Sequence, residues 1–247
     1  MKQIARSAAE WPWRLLPRRL RHALLKSGVY AAAASEPATA LRELLELESV
    51  VSGQIDLASM RYGDGVHVKH RLMAYHDFFV SRIHANERVL DVGCGYGAVA
   101  HSIAERSGAS VVGIDLSDAN VAQARRMFPR ANLSFTRGEA PRDLTQEHFD
   151  VVVLSNVLEH IEDRARFLKE IRQKTTASRL LIRVPMRDRD WHVPLRAELG
   201  LFAFSDPTHF TEYSRETFES EMAVAGLSIT HLQINWGEIW AEVRSSA

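Results

Sequence analysis

The chain has 247 residues, of which 46% are apolar and 25% charged, so it can bury the core of one large domain. Its 31 basic and 31 acidic side chains cancel, but seven of the bases and one acid fall in residues 1–28, which leaves the rest mildly acidic and argues against a broad nucleic-acid surface. The single cysteine excludes a disulfide framework, and no apolar run reaches 18 residues, so we expect a cytoplasmic protein without a membrane-spanning helix.

The N-terminal segment combines arginines with tryptophans and leucines, and Pro17 and Gly28 mark the start and end of a short predicted helix. Tryptophan and leucine beside arginine suit a membrane surface, so residues 1–28 are candidates for peripheral contact with the inner face of a membrane. The alternatives are a helix packed on its own domain and a solvated extension. A second helix is predicted over 39–52, and we assign residues 1–60 to an N-terminal helical extension.

The pattern changes after a helix predicted over 68–83. From Glu87 onward, short β-branched runs alternate with helical patterns, which predicts βαβ units in a parallel sheet covered on both faces. The predicted strands cover 88–92, 110–115, 132–136, 149–155 and 179–185, and two closing strands cover 227–235 and 239–245. Between these two groups lie a loop-rich insert (186–213) and a capped helix (214–226).

The stretch VLDVGCGYGAVA places three glycines at every second position after a buried strand. Such a turn before a helix brings backbone N–H groups close to a ligand. Gly93, Gly95 and Gly97 form G-x-G-x-G rather than the G-x-G-x-x-G of nicotinamide dinucleotide folds, which disfavours an oxidoreductase. Asp91, just before the loop, would repel a pyrophosphate but suits a ligand with a cationic end, such as S-adenosylmethionine. Asp115 ends the next strand, where it would accept two ribose hydroxyls.

With these motifs the chain resembles the class I S-adenosylmethionine-dependent methyltransferases over roughly residues 68–230. VLDVGCGYG is similar to the first motif of the family, VVGIDLSDANVAQAR to the second and FDVVVLSNVLEHIED to the fourth, and FTRGEA stands where the family usually has G-D-A. The resemblance implies a Rossmann-like doubly wound α/β sheet, mostly parallel with an antiparallel closing strand and helices on both faces, and a methyltransferase domain over 61–247. The cofactor-binding positions that it implies are Asp91, Gly93, Cys94, Gly95, Tyr96, Gly97, Asp115, Leu116, Glu139, Ala140, Ser155 and Asn156.

The catalytic prediction rests on His160 and Glu159, which follow the fourth strand. The sulfonium already activates its methyl group, but a hydroxyl acceptor needs a general base or a metal ion. We predict His160 as the base and Glu159 as the residue that orients it or binds substrate; alternatively, the pair only caps the following helix. Some family members bind a divalent ion through E-x-x-E-H and a distant histidine. Because Asn156 replaces the first glutamate, we predict a metal-independent reaction; otherwise His209 would complete a metal site.

The acceptor side includes four candidate substrate residues: His70, His76, Trp191 and His209. The two histidines near the start of the domain are expected to shape the pocket entrance, and the aromatic insert is expected to cover a substrate or to plug the core. Its sequence FSDPTHFTEYS resembles that of members in glycan and polysaccharide biosynthesis.

The predicted function is therefore O-methylation of a small molecule such as a sugar or glycan hydroxyl. Methylation of a phenolic, quinol or carboxylate acceptor is the alternative within enzymes. A non-catalytic cofactor-binding partner subunit is the alternative of another class. No nucleic-acid partner is expected, since the Asn-Pro-Pro-Tyr motif of amino-directed nucleic-acid methyltransferases is absent. The oligomeric state is left open.

Overall fold

One seven-stranded sheet forms the centre of the fold. The computed structural model describes Trp13 and residues 15–246, so much of the segment predicted to contact a membrane lies outside the described residues. The strands are β1 (Arg88–Val92), β2 (Ser110–Asp115), β3 (Leu133–Arg137), β4 (Val151–Ser155), β5 (Arg179–Pro185), β6 (Leu227–Asn235) and β7 (Glu238–Ser245). Their order is β3-β2-β1-β4-β5-β7-β6, with parallel pairing from β3 to β5 and β7 antiparallel to both neighbours. The predicted Rossmann-like sheet is confirmed.

Helices cover both faces of the sheet. They are α1 (Arg18–Ala33), α2 (Pro37–Tyr62), α3 (Lys69–Met73), α4 (Tyr75–Val80), α5 (Ala98–Arg106), α6 (Asp118–Met127), α7 (Arg164–Thr175), α8 (His192–Glu198) and α9 (Arg215–Val224), with a 3₁₀ turn at Leu158–His160. β4 shows how the two core layers form: Val151 and Val153 belong to one layer, and Val152 and Leu154 to the other. A strand buried on both faces needs such a continuous apolar run.

Three predicted helices differ from those in the structure. α1 starts after Pro17 as expected but continues through Gly28, whose missing side chain faces open space. α2 continues past the predicted end at residue 52 to Tyr62, because a glycine inside a helix is tolerated. The helix predicted over 68–83 is two short helices, since Ala74 between them is left-handed (φ 51°).

The helical extension and the insert pack against each other. Arg42 Nε donates to the carbonyl of Leu199 (3.1 Å), and an Nη of Arg196 donates to the carbonyl of Leu45 (2.7 Å). Glu48 forms ion pairs with Arg196 (2.9 Å) and His192 (3.3 Å). Among the described residues, none of the helices has the length and apolar character that crossing a bilayer requires.

Candidate active site

The loop after β1 is left-handed at its three glycines. A Cβ at Gly93 would lie 2.8 Å from Val157, and one at Gly97 would lie 2.5 Å from Phe135, so both positions are closed to side chains by packing. A Cβ at Gly95 would meet no described atom within 4 Å. Gly95 therefore keeps space free above the loop, as a closely approaching ligand requires, whereas Gly97 serves the contact between α5 and β3.

Asp115, at the end of β2, holds this loop in place. Its Oδ2 accepts a hydrogen bond from the Gly95 N–H (2.9 Å), and its Oδ1 accepts from the Ser117 N–H (2.9 Å) and the Asn120 amide (3.0 Å). A carboxylate has about four lone-pair sites, so these three hydrogen bonds leave about one site for a ligand hydroxyl. The position at the C-terminal end of a parallel strand is the one predicted for ribose recognition.

Asp91 is a buried carboxylate with an incomplete set of partners. Its Oδ2 has no hydrogen-bond partner in the described part of the chain. Burial raises the pKa of Asp91 to about 7; the backbone N–H of Ala100 opposes this rise, and the nearby Asp115 adds to it. A buried polar atom without a partner costs free energy, which a cationic ligand would recover.

Asp91 and the start of the glycine loop line a cavity of about 580 Å³ above the C-terminal ends of β1, β4 and β5. The predicted residues that meet there are Asp91, Gly93, Cys94, Gly95, Tyr96, Ser155, Asn156, Glu159, His160, His70 and His209. Burial raises the pKa of the Cys94 thiol, so the cysteine lines the cavity as a neutral group. The volume is in the range of ligand pockets, about 300–1,000 Å³.

The other predicted positions lie outside this cavity lining, and Asp115 and Gly97 are among them. Leu116 is exposed, Glu139 forms a surface ion pair with Arg142 (2.8 Å), and Ala140 packs against the core. Trp191 is exposed and contacts the ring of His192. His76 is buried behind His70. The cofactor and substrate roles given to these residues stay predictions.

Sequence reasoning missed Arg183 and Tyr75, which also line the cavity beside the predicted His70. Arg183 of β5 lies 3.8 Å above the ring of Tyr75, and its Nε donates to Glu238 (2.6 Å). A charged residue inside the apolar strand LLIRV was the available signal. His70 and His76 share a hydrogen bond (2.8 Å). Burial, with repulsion from His76, lowers the pKa of His70 to about 3, and burial, with repulsion from Arg183, lowers the pKa of His76 to about 4. Both rings are therefore neutral.

Glu159, His160 and His209 form a compact cluster at one wall of the cavity. One ligand atom from each lies within 4.8 Å of the others, so the insert does bring His209 back to the end of β4. Glu159 is completely buried, and neither of its oxygens has a hydrogen-bond partner among the described residues. Burial raises its pKa to about 7. The insert therefore does more than cover the cavity, because it contributes the His209 side chain to this cluster.

The tautomers of the two histidines follow from their neighbours. The Thr208 hydroxyl donates to Asp206 Oδ1 (2.6 Å), so Thr208 Oγ1 accepts from His160 Nδ1 (2.9 Å), and Nε2 of His160 keeps its lone pair. His209 Nδ1 donates to a carboxylate oxygen of Glu212 (3.0 Å), which leaves its Nε2 free in the same way. Second partners of this kind typically orient metal-binding histidines.

The cluster therefore presents acceptor atoms only. Two imidazole nitrogens and the Glu159 carboxyl group face each other, and within Trp13 and residues 15–246 neither Glu159 oxygen has a hydrogen-bond partner. Asn156 Oδ1, in the same cavity, also lacks a partner there. Two imidazole nitrogens and a carboxylate are ligands that fit a divalent cation. The predicted metal-independent reaction is not tested by these contacts and stays a prediction.

Comparison with known proteins identifies the family. A sequence model described as a methyltransferase domain matches residues 65–232, which is more than half of the chain. The chain belongs to the class I S-adenosylmethionine-dependent methyltransferases. The predicted family, its S-adenosylmethionine cofactor and an enzyme of this kind are thereby confirmed.

Similar methyltransferases agree with this assignment. A ubiquinone biosynthesis O-methyltransferase of Bradyrhizobium diazoefficiens is 33% identical over 106 residues, which cover 42% of this chain and 41% of that protein. The match thus spans about two fifths of the relative. The magnesium protoporphyrin IX methyltransferase of Synechocystis PCC 6803, solved with bound SAH, shares the fold (TM-score 0.56, 18% identity, 72% of this chain and 83% of that one). A methyltransferase of Mesorhizobium loti does so too (TM-score 0.54, 17% identity, 73% and 99%).

Proposed function

We propose that the protein methylates a hydroxyl group of a small molecule, and that a phenolic or quinol hydroxyl is its first candidate acceptor. The observation that carries this proposal is the acceptor-only cluster of Glu159, His160 and His209 in the same cavity as Asp91 and the glycine loop. A hydroxyl must lose its proton during methyl transfer, and this cluster supplies acceptor atoms that can hold a divalent cation or accept that proton. The names of the matched relatives favour a quinol over the sugar or glycan hydroxyl that the sequence analysis ranked first.

The residues present fit S-adenosylmethionine. The partnerless Oδ2 of Asp91 suits its ammonium group, the free space at Gly95 leaves room beside the backbone, and Asp115 can accept a ribose hydroxyl. When bound, the cofactor supplies a methyl group that its sulfonium already activates. The task of the chain is then to align the acceptor oxygen with that methyl group and to remove the proton.

The cluster can help to remove that proton in two ways. Glu159, His160 and His209 would hold a divalent cation, which lowers the pKa of a hydroxyl that it contacts. Without a cation, Nε2 of His160 would accept the proton directly, as the sequence analysis predicted. Because the described side chains of the cluster include only acceptors, we propose the cation-assisted route. A phenol ionises near pH 10, as tyrosine does, so either route reaches it more easily than an ordinary alcohol.

The test uses the full chain with labelled S-adenosylmethionine, after dialysis against EDTA, with and without Mg²⁺ or Mn²⁺. We expect methyl transfer to catechol or hydroquinone that depends on the added ion. Transfer to a nucleotide sugar alone would overturn the phenolic acceptor, and equal transfer without the ion would restore His160 as the direct base. Binding of S-adenosylhomocysteine without transfer to any acceptor would favour the non-catalytic partner subunit.

We also propose that the basic N-terminal segment contacts an anionic membrane surface. In its described part, α1 exposes Leu20, Leu24 and Leu25 on a helix that also carries Arg18 and Arg21. This combination is typical of interfacial helices. Vesicles with anionic lipid should pellet the protein at low salt, and glutamates at both Leu24 and Leu25 should abolish this. Absence of pelleting by the unaltered protein would contradict the proposal.

A further inference from the structure

A second cavity, of about 890 Å³, lies between α2 and the insert. Asp56 and Ser205 line both this cavity and the active-site cavity, so the two adjoin each other. α2 precedes the region that the family model matches, so this wall lies outside the matched methyltransferase domain. The second cavity is therefore placed to receive a part of the acceptor that extends out of the active site.

The walls of the second cavity combine large apolar side chains with polar and charged ones. Val51 and Ile55 of α2 lie on one wall, and Phe202 and Phe204 of the insert lie on the other. Val51, Ile55 and Phe202 are each more than half exposed, at 57%, 59% and 55%. Large apolar side chains gathered in an open cavity are typical of ligand-binding surfaces.

Most of the charged side chains on the same walls are already paired within the protein, and Glu46 is the exception among the described residues. Glu48 forms ion pairs with Arg196 and His192, and Arg189 pairs with Glu212. These pairs hold the insert against α2 and within itself, so they have less charge left for a ligand. An occupant of this cavity would therefore make its contacts mostly with the apolar side chains.

The sizes of the two cavities fit an acceptor whose reacting end lies in the active-site cavity and whose remaining part extends into the second cavity. The active-site cavity of about 580 Å³ must hold both the cofactor and the reacting end of the acceptor, so a large acceptor has to extend beyond it. We propose that the second cavity binds an apolar chain carried by the methyl acceptor. Its reacting hydroxyl then lies at the Glu159 cluster, which is the part of this inference that rests on the proposed function.

The experiment compares three probes in titrations of the full chain with S-adenosylhomocysteine present: 4-methylcatechol, 4-octylcatechol and octan-1-ol. Each buried methylene strengthens binding about fourfold, so burial of only two methylenes of the octyl chain makes the octyl catechol bind at least about tenfold tighter than the methyl one. Val51→Asp and Phe202→Asp should remove most of that difference. Val50→Asp is the matched control, since Val50 is 64% exposed on the same helix but does not line the cavity.

The outcomes separate this proposal from the proposed function. Equal binding of the two catechols, or equal weakening by Val50→Asp and Val51→Asp, would overturn the apolar-chain site even if catechols are methylated. Octan-1-ol tests the site without any aromatic ring: binding that Val51→Asp weakens supports it, and absence of binding contradicts it. If the octyl probes bind as expected and neither catechol is methylated, the site stands and the phenolic acceptor fails.

Discussion

The two sides of the active site are built in different ways. The cofactor side consists of one loop and two neighbouring strand ends, and Asp115 there already accepts three hydrogen bonds from the protein. The acceptor side combines the end of β4, the insert and α2, and both oxygens of Glu159 lack partners among the described residues. The first side is organised by the contacts of Asp115 before any ligand binds, although it leaves Asp91 Oδ2 without a partner in the described part of the chain. The second keeps acceptor atoms bare, so its ligand has to complete it.

The largest effect should come from a change on the acceptor side. We expect Glu159→Gln to lower turnover on the order of 10³-fold at fixed Mg²⁺, because the amide neither neutralises a cation nor accepts a proton. Affinity for S-adenosylhomocysteine, measured by calorimetry, should stay within about twofold. Glu162→Gln is the control, because Glu162 is exposed and lies just beyond the cluster. Equal losses of turnover and cofactor affinity would show that the two sides are not separate.

The complementary change is Asp91→Asn on the cofactor side. The buried carboxylate should pair with the ammonium group of the cofactor, and an amide loses that charge-assisted contact, so affinity for S-adenosylhomocysteine should fall on the order of 10²-fold. Asp118→Asn, an exposed change at the start of α6, should leave it unaltered. If Asp91→Asn binds as tightly as the unaltered protein, the ammonium lies elsewhere.

The same contrast explains what the sequence could predict. The glycine loop, Asp91 and Asp115 belong to contiguous motifs, and the strands around them are β-branched runs whose burial follows from their composition. The break at Ala74 could not be predicted, because a left-handed alanine has no sequence signature, and it divided one predicted helix into two. The sequence predicted the approach of the insert to Glu159 only in the alternative in which His209 completes a metal site.

The second cavity could not be predicted at all. It depends on how α2 packs against a segment about 150 residues later in the chain, through contacts such as Arg196 to Leu45. Val51 of α2 belongs to no sequence motif, and neither do Phe202 and Phe204 of the insert. Each of these two groups alone resembles an ordinary protein surface. Their common role becomes visible only when the two segments form opposite walls.

A smaller effect is expected from pH. Since burial raises the pKa of Asp91 to about 7, cofactor binding has to remove a proton below that pH. Affinity for S-adenosylhomocysteine should therefore rise about tenfold from pH 6 to pH 8 and then level off. Apo stability should change in the opposite direction, because a raised pKa favours the protonated folded state. Asp91→Asn should flatten the affinity profile; an equally steep profile in that variant would assign the proton to another group.

The smallest effect concerns Thr208, a positioning residue that links the insert to the cluster. Its hydroxyl donates to Asp206 and accepts from His160, so it fixes the ring orientation and leaves Nε2 free. Thr208→Val keeps the shape but removes both contacts, and turnover should fall about tenfold, the size of effect seen for second partners of metal-binding histidines. Thr208→Ser retains the hydroxyl and should restore most of the activity. Mg²⁺ titrations should show a matching rise in the concentration needed for half-maximal rate, while cofactor affinity stays constant. If serine fails to rescue, the threonine acts through its methyl group and packing, and the hydrogen-bond relay is not what orients His160.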